Sequence, residues 1–432
     1  MSQNVTLRNV SYLFLPFVFG GSLDPAQLNQ TFRNSSDWNT QENSCRYMLR
    51  YISDKLNSQR DDCLCFHHVL SAEGLNRLAL PETVWETAAQ FYGKQTAFAF
   101  RINNLHLFCF HTRVCIAALE IVSEASDPIS ISSLQFCLKN AGRAKLSRRD
   151  DPSGSAVTPL SLLRDALRDV VPSEQADFCF FSEESALRSN VLSYTELKKN
   201  EDSLNALFYL RRCYNETYEY QENEERDRME TYSSVKNIVW GVTPEAAACA
   251  VTVTSENSQF IEHSFFPNFK TQYLFMYTLL LHQKYVLYRF LTRIGRGTHN
   301  DLSMLEQYRA ELYDFETDYM FSRITEVPQY QELYDQLSRA FSLDALYADV
   351  HEPIQELSDL RSSARDRKLN YALTALSLLS GFSALADGFA FIDMGKALFP
   401  SCVLLGAKVV CSVAVLVIFI AVLHSLFRRG KK

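Results

Sequence analysis

Hydrophobic residues are spaced in three different ways along this chain. In residues 1–260 they come in short runs. Tyr12–Phe19 reads as a strand. Thr96–Ile102 and Leu105–Thr112 read as two strands around Asn103-Asn104, a hairpin turn, because Asn tolerates positive φ. Val114–Val122, Phe178–Phe181, Val235–Trp240 and Ala250–Thr254 add strands. Pro81–Tyr92, Pro159–Val171 and Tyr194–Tyr214 carry helical patterns. The expectation is an α/β domain with antiparallel strand pairs. Lys145–Ser155 reads as a surface loop, and the charge-dense Glu219–Glu230 as an exposed helix end or loop.

From Pro267 the period lengthens to that of helices. The first pattern runs from Pro267 to Ile294 and is stopped by Gly295 and Gly297. Its apolar centre, Tyr273–Leu281, is too short to cross a bilayer, and Lys270, His282, Lys284 and Arg289 interrupt the rest. The second starts at Asn300 or Asp301 and carries the stripe Leu302, Leu305, Tyr308, Leu312, Phe315 and Tyr319, with Pro328 at its end. The third begins near Gln329. Leu346, Val350, Ile354, Leu357, Leu360 (or Arg361) and Ala364 repeat at about 3.5 residues, the spacing of a coiled-coil seam. Pro353 is expected to bend it. Continued to Ile392, this would be one 64-residue stalk helix. Asp344, Asp349, Glu352, Glu356 and Asp359 decorate it as a solvated acidic face or, gathered at subunit interfaces, as oxygen ligands for a divalent cation such as Mg²⁺.

The third kind of spacing is a nearly unbroken apolar run, and there are two. Leu369–Ile392 holds one charge, Asp387, and Cys402–Phe427 holds one cation, Lys408. About 20 apolar residues cross a ~30 Å hydrocarbon core, so the pair is expected to form a transmembrane hairpin. Arg361, Arg365, Arg367 and Lys368 precede the first run, and Arg428, Arg429, Lys431 and Lys432 follow the second. The positive-inside bias then places both termini in the cytoplasm of an inner (plasma) membrane protein. The resulting order is a ligand-sensing domain over 1–260, antiparallel helices over 267–328, a stalk over 329–368, spans over 369–392 and 402–427, an external loop over 393–401 and a basic tail over 428–432. In the first span Asn370, Thr374, Ser377, Gly381, Ala384 and Gly388 share one face, with Asp387 beside them. Such a stripe either lets helices approach closely or lines a wet path through an oligomer. A bridge between Asp387 and Lys408 is one fate of those two charges.

Composition narrows the classes. The chain has 432 residues, 47% hydrophobic and 22% charged, which excludes a disordered chain, a collagen and a small disulfide scaffold. Its net charge of −7 is not that of a general DNA or RNA binder. Eleven irregularly spaced cysteines, several inside strand-like runs, read as free thiols in a reducing compartment. Val10–Phe19 contains Pro16 and lacks a cleavage site, so no signal peptide is read there.

Catalytic motifs do not stand out. Walker A, Rossmann, HExxH and GxSxG patterns are absent from the sequence, and an enzyme is not expected. Cys63-Leu64-Cys65-Phe66-His67-His68 has metal-ligand residue types without zinc-finger spacing and reads as a packed strand with exposed histidines. His106 and His111, five apart, would point to opposite faces of a strand. Arg101, Arg113 and Arg143 are candidate phosphate contacts for a nucleotide ligand.

The order of elements over about Pro267–Lys432 resembles the CorA-type two-span magnesium transporters: antiparallel helices, a long helix entering the first span, a tiny outer loop and a basic C-terminus. That resemblance implies a homo-oligomeric, pentameric ion channel or transporter of the divalent-cation class, gated from its cytoplasmic domain. The chain departs from the family at the outer filter. Family members carry Gly-Met-Asn after the first span; here Asp393-Met394-Gly395 stands there, and a ring of Asp393 would be the substitute. Divergent CorA-like proteins without that tripeptide accompany type III CRISPR systems in antiviral defence, and this chain is similar to them in length and in its two C-terminal runs. For that subgroup the implied ligand is a nucleotide second messenger, the S-adenosylmethionine–AMP conjugate. The alternative is a membrane-anchored binding or scaffolding protein that transports nothing.

Overall fold

The structure is a computed structural model that describes residues 8–20, 24–57, 62–151, 155–171, 175–199, 201–295 and 302–394, and 400–417 in part. Met1–His351 is one compact unit and Glu352–Lys432 a second.

A twelve-stranded sheet organises the first unit. Its strands are β1 (Asn9–Phe19), β2 (Trp38–Gln41), β3 (Cys65–Leu70), β4 (Trp85–Phe91), β5 (Lys94–Phe110), β6 (Val114–Ser123), β7 (Ser147–Arg148), β8 (Ala176–Asp177), β9 (Asn190–Leu197), β10 (Thr231–Val235), β11 (Ile238–Val242) and β12 (Ala246–Thr252). The main path runs β10-β11-β12-β9-β1-β6-β5-β3-β2, with β4 beside β5 and β7, and β8 beside β1. Every pairing is antiparallel except β12 with β9. Pro16 has no N–H to give a ladder. It falls where β1 has left β9, at the Phe14–Asn190 pair, and has not yet met β8, at Val18–Asp177.

Among the described residues seven α-helices are interleaved with the strands: α1 (Pro25–Asn34), α2 (Arg50–Leu56), α3 (Ala72–Arg77), α4 (Pro128–Leu138), α5 (Pro159–Leu167), α6 (Ser203–Leu210) and α7 (Glu224–Glu230). Their starts are chemically marked. Asp24, Asp127 and Thr158 each cap a helix that has proline in its first turn. Two short helices, α8 (Ser258–Phe260) and α9 (Phe266–Asn268), alternate with π-helical turns at Ile261–Phe265 and Phe269–Tyr273 and lead into α10 (Leu274–Gly295). Then come α11 (Leu302–Tyr319), α12 (Pro328–Ala340) and α13 (Leu343–Met394).

Period-two alternation divides the central strands between two apolar environments. Leu13, Leu15 and Phe17 of β1, Leu105, Leu107 and Cys109 of β5, and Cys115, Ala117 and Leu119 of β6 join one core with α1, α4 and α5. Their neighbours point the other way. Phe14 meets Tyr277, Phe108 meets Phe275 and Phe110 stacks on His282, all on α10. Both faces are covered, so these strands read as continuous hydrophobic runs.

Several expectations are corrected locally. Asn103-Asn104 is no hairpin turn: β5 passes straight through it, with only a register shift against β6 between Ile102 and Asn104. The ladder with β6 overrides the local turn preference. Pro81–Tyr92 is not a helix, since Trp85–Phe91 is β4. It turns into β5 through Tyr92 (φ 49°) and Gly93 (φ 75°), the two positive values that a two-residue hairpin of matching twist requires. Tyr194–Tyr214 divides into the end of β9 and α6, and Phe178–Phe181 follows β8 rather than forming a strand. The 64-residue helix is broken at Ser342 (φ 54°), where left-handed backbone ends the hydrogen-bond ladder before α13 begins. α13 continues through Pro353.

The largest correction concerns residues 369–427. Among the described residues, no helix is long and apolar enough to cross a membrane. The CorA-like fold class with its two-helix transmembrane hairpin gives way to a large mixed sheet with helices. The multi-pass inner-membrane location with cytoplasmic termini, and the membrane-channel reading attached to it, fall on the same finding. In α13 a polar stripe, Asn370, Thr374, Ser377, Ser380, Ser383 and Asp387, interrupts the apolar run every three or four residues, and the second run is described only in part, within 402–417. Residues 418–432, and with them the end of the second expected span and the basic tail, lie outside the described residues.

Candidate functional site

The three-residue turn between β5 and β6 is His111-Thr112-Arg113. Arg113 sits at φ 66° and its N–H bonds the Phe110 carbonyl at 3.0 Å. Left-handed backbone at a non-glycine residue is strained, and such strain concentrates at functional positions. α10 runs beside this turn and presents Val286, Arg289, Phe290 and Arg293 at helical spacing. α11 faces them with Glu311, Asp314, Phe315, Asp318 and Tyr319. Together with Leu64 these residues line a cleft of about 370 Å³.

The cleft is held from several sides. Arg289 donates Nη1 to the Thr112 carbonyl. Arg293 forms an ion pair with Glu311 and lies 4.2 Å over the Tyr308 ring. Asp318 is paired with Lys55 at 2.7 Å. The Tyr319 hydroxyl donates to the Leu64 carbonyl at 2.8 Å. Thr112 Oγ1 lies 2.7 Å from Nε2 of the buried His282.

Charge is set against burial here. Burial, with Arg293 alongside, brings the Arg289 guanidinium down to about 10. Burial is the largest single influence on Arg293 and Glu311 and opposes both charges, but their hydrogen bond, their mutual attraction and the neighbouring Tyr308 and Gln307 together outweigh it, so the arginine is raised and the glutamate lowered. Burial lowers His111, against the pull of Asp24 and Asp318. The result is a half-enclosed pocket with three guanidinium groups, flanking carboxylates and aromatic walls from Phe290, Phe315 and Tyr319. Such a lining offers cationic donors, carboxylate acceptors and apolar ring surface side by side.

Of the arginines singled out in the sequence, only Arg113 lies in this cleft. Arg101 is on β5, 3.8 Å from Glu124 on the surface, and Arg143 is exposed in the turn after α4. Arg289 and Arg293 were missed, although their i, i+4 spacing on an interrupted apolar helix was a readable signal. So was the 3-4 spacing of Glu311, Asp314 and Asp318 beside the α11 stripe.

Other expected residues lie in α13. Asn370, Ser377 and Asp387 are exposed, and Thr374 and Gly388 half-buried. The Thr374 and Ser377 hydroxyls donate back to the carbonyls of Asn370 and Leu373. Lys408 pairs with Asp393 at 2.8 Å, not with Asp387; the helix end brings Asp393 to it. Met394 is exposed. The side chains of Gly381 and Ala384, and Gly395 altogether, are outside the described residues. Asp344, Asp349 and Glu352 are exposed on α13, while the Glu356 and Asp359 side chains are not described. Among the described residues, no group of three or more His, Cys, Asp or Glu could hold a metal ion.

The Cys63–His68 segment is packed, but its histidines are not exposed. His67 Nε2 lies 3.1 Å from His106 Nδ1, and His68 is fully buried against Phe32. Burial lowers both imidazoles, His68 to about 3. The ten cysteines of the described residues are free thiols.

Compared with known proteins, the chain matches no family model, no curated protein and no solved structure.

Proposed function

We propose that the unit Met1–His351 is a binding module, not an enzyme, and that its cleft takes a small phosphate ester of the nucleotide class. The observation that carries this reading is the convergence of Arg113, Arg289 and Arg293 on one cleft of about 370 Å³. Guanidinium forks match phosphate oxygens in pairs, and a desolvated arginine holds an anion more strongly than one in water. The aromatic walls offer apolar surface to a base or comparable ring. The exposed Asp314 is placed to accept from a hydroxyl or amino group of the same ligand.

The non-enzymatic part of the reading rests on the pairs at hand. Thr112 and His282 are nucleophile and base by type. However, His282 Nδ1 has no partner to orient the imidazole, and the ring is sealed from solvent. Nucleophile–base pairs ordinarily have that third group.

Calorimetric titration of the full chain with AMP, ADP and ATP, with adenosine as the phosphate-free control, tests the proposal. Saturable one-site binding of the phosphate esters and none of adenosine is expected. A folded protein that binds none of the three esters sinks it.

A further inference from the structure

We infer that the Thr112 hydroxyl is the neutral hydrogen-bond donor of the cleft, fixed in that sense by His282, and that it selects for a ligand acceptor at its position. The inference rests on the binding reading above and adds the residue that orients the ligand.

The argument is one of counting protons. Thr112 Oγ1 has two lone pairs and one hydrogen. The Val114 N–H points to it at 3.4 Å, a long contact in which the oxygen can only accept. His282 Nε2 lies 2.7 Å away and could sit on either side of its bond. The choice is made at the other ring nitrogen. His282 is fully buried and Nδ1 has no partner.

Burial also keeps the ring neutral, holding it well below the usual imidazole range, so it carries one proton. With that proton on Nδ1, a buried N–H is left without an acceptor, a rare and costly state in folded proteins. With the proton on Nε2, Nδ1 is only an unfilled acceptor and Nε2–H donates to Thr112. Both lone pairs of Oγ1 are then occupied. Its hydrogen must point elsewhere, and the partly buried Thr112 is one of the residues that line the cleft.

Arg289 holds the Thr112 carbonyl, so the residue is pinned through its backbone as well as its side chain. A phosphate oxygen seated between Arg113 and Arg289 would receive this third donor. A ligand that places a donor there would meet an O–H it cannot use, while the His282 contact prevents the hydroxyl from reversing.

Two measurements on the full chain test this. Long-range ¹H–¹⁵N correlation spectra of the ligand-free protein read the His282 tautomer directly. Nε2–H is expected, and a protonated Nδ1 overturns the inference. Calorimetry with AMP as the probe then compares Thr112→Val with Thr112→Ser. Loss of a hydrogen bond to a charged group should weaken AMP binding by roughly 10- to 100-fold in Thr112→Val. Thr112→Ser, which keeps the hydroxyl, should bind within about threefold of the parent.

Equal AMP affinity in the parent and Thr112→Val would overturn the inference and leave the binding proposal standing. A parent protein that binds no phosphate ester removes both. Should Thr112→Val fail to fold, the tautomer and the Thr112→Ser titration still decide: Nδ1–H, or loss of binding with the hydroxyl retained, counts against the inference.

Discussion

Lys270 Nζ stands 2.7 Å from Glu120 Oε1, joining the π-helical turn before α10 to the central strand β6. Tyr12 donates to the other carboxylate oxygen at 3.2 Å, and His106 Nε2 lies 3.5 Å from it. Burial alone would raise the Glu120 carboxyl. The His106 and Lys270 bonds outweigh it and hold the group at about 2. A carboxylate lowered in the folded state contributes stability above its unfolded pKa and loses it as pH falls through the folded one. Urea midpoints should therefore drop between about pH 4.5 and pH 2, with up to about 3 kcal/mol traceable to this group. In Glu120→Gln that stretch of the pH profile should be markedly flatter. An unchanged slope would show that the carboxylate is not held as described.

Lys284 gives a pH dependence of opposite range. Its ammonium is buried on α10, 4.9 Å from the Phe341 ring and 5.6 Å and 5.8 Å from those of Tyr285 and Tyr288. It donates to the Pro244 carbonyl over a long 3.4 Å. Glu245 favours its charge but is itself bound by Lys139 and Arg188. Burial brings Lys284 down to about 8. The unfolded chain then binds more protons than the folded one between about pH 8 and pH 10.5, so stability rises with pH there. Lys284→Met should match or exceed the parent at pH 7. The parent should gain on it by up to about 3 kcal/mol as pH reaches 10.5. Parallel stability curves for the two proteins across that window would refute the prediction.

The arginines divide cleanly by position. Arg289→Met should weaken AMP binding by more than about tenfold, because it removes a partly desolvated charge from the cleft. Arg101→Ala and Arg143→Ala, both outside it, should bind as the parent does. Calorimetry on the three variants, with circular dichroism to establish that each is folded, decides the matter. A loss confined to Arg101→Ala or Arg143→Ala would place the site elsewhere.

Gly142 tests the packing independently of any ligand. A Cβ there would lie 2.2 Å from the Glu184 carbonyl oxygen, and backbone cannot swing aside as a side-chain tip can. Gly142→Ala should cost about 1–3 kcal/mol, the range for overpacking in an ordered interior. Gly406→Ala, with nothing within reach of its new Cβ, should cost far less. Thermal melts of the two variants should separate by several degrees; coincident melts would contradict the close approach.

What the sequence determined by itself was local. The runs at β1 and β6, the helical pattern that begins at Pro159 and became α5, and the stripe of α11 were legible because side-chain period acts over a few residues. Arg113 was legible only as a residue type. Tertiary structure decided the rest. It made Asn103-Asn104 part of one long strand, since pairing with β6 outweighs a turn preference. It made Trp85–Phe91 a strand for the same reason. It set Arg289 against Thr112, 177 residues apart, and so created the cleft. Hydrophobic period reports that a face is covered but not by what. That is why two apolar runs read as two membrane spans, while α13, which holds the first of them, carries a polar residue on nearly every turn of its C-terminal half. Which surface covers which depends on the whole sheet closing at once, and no window along the chain contains that information.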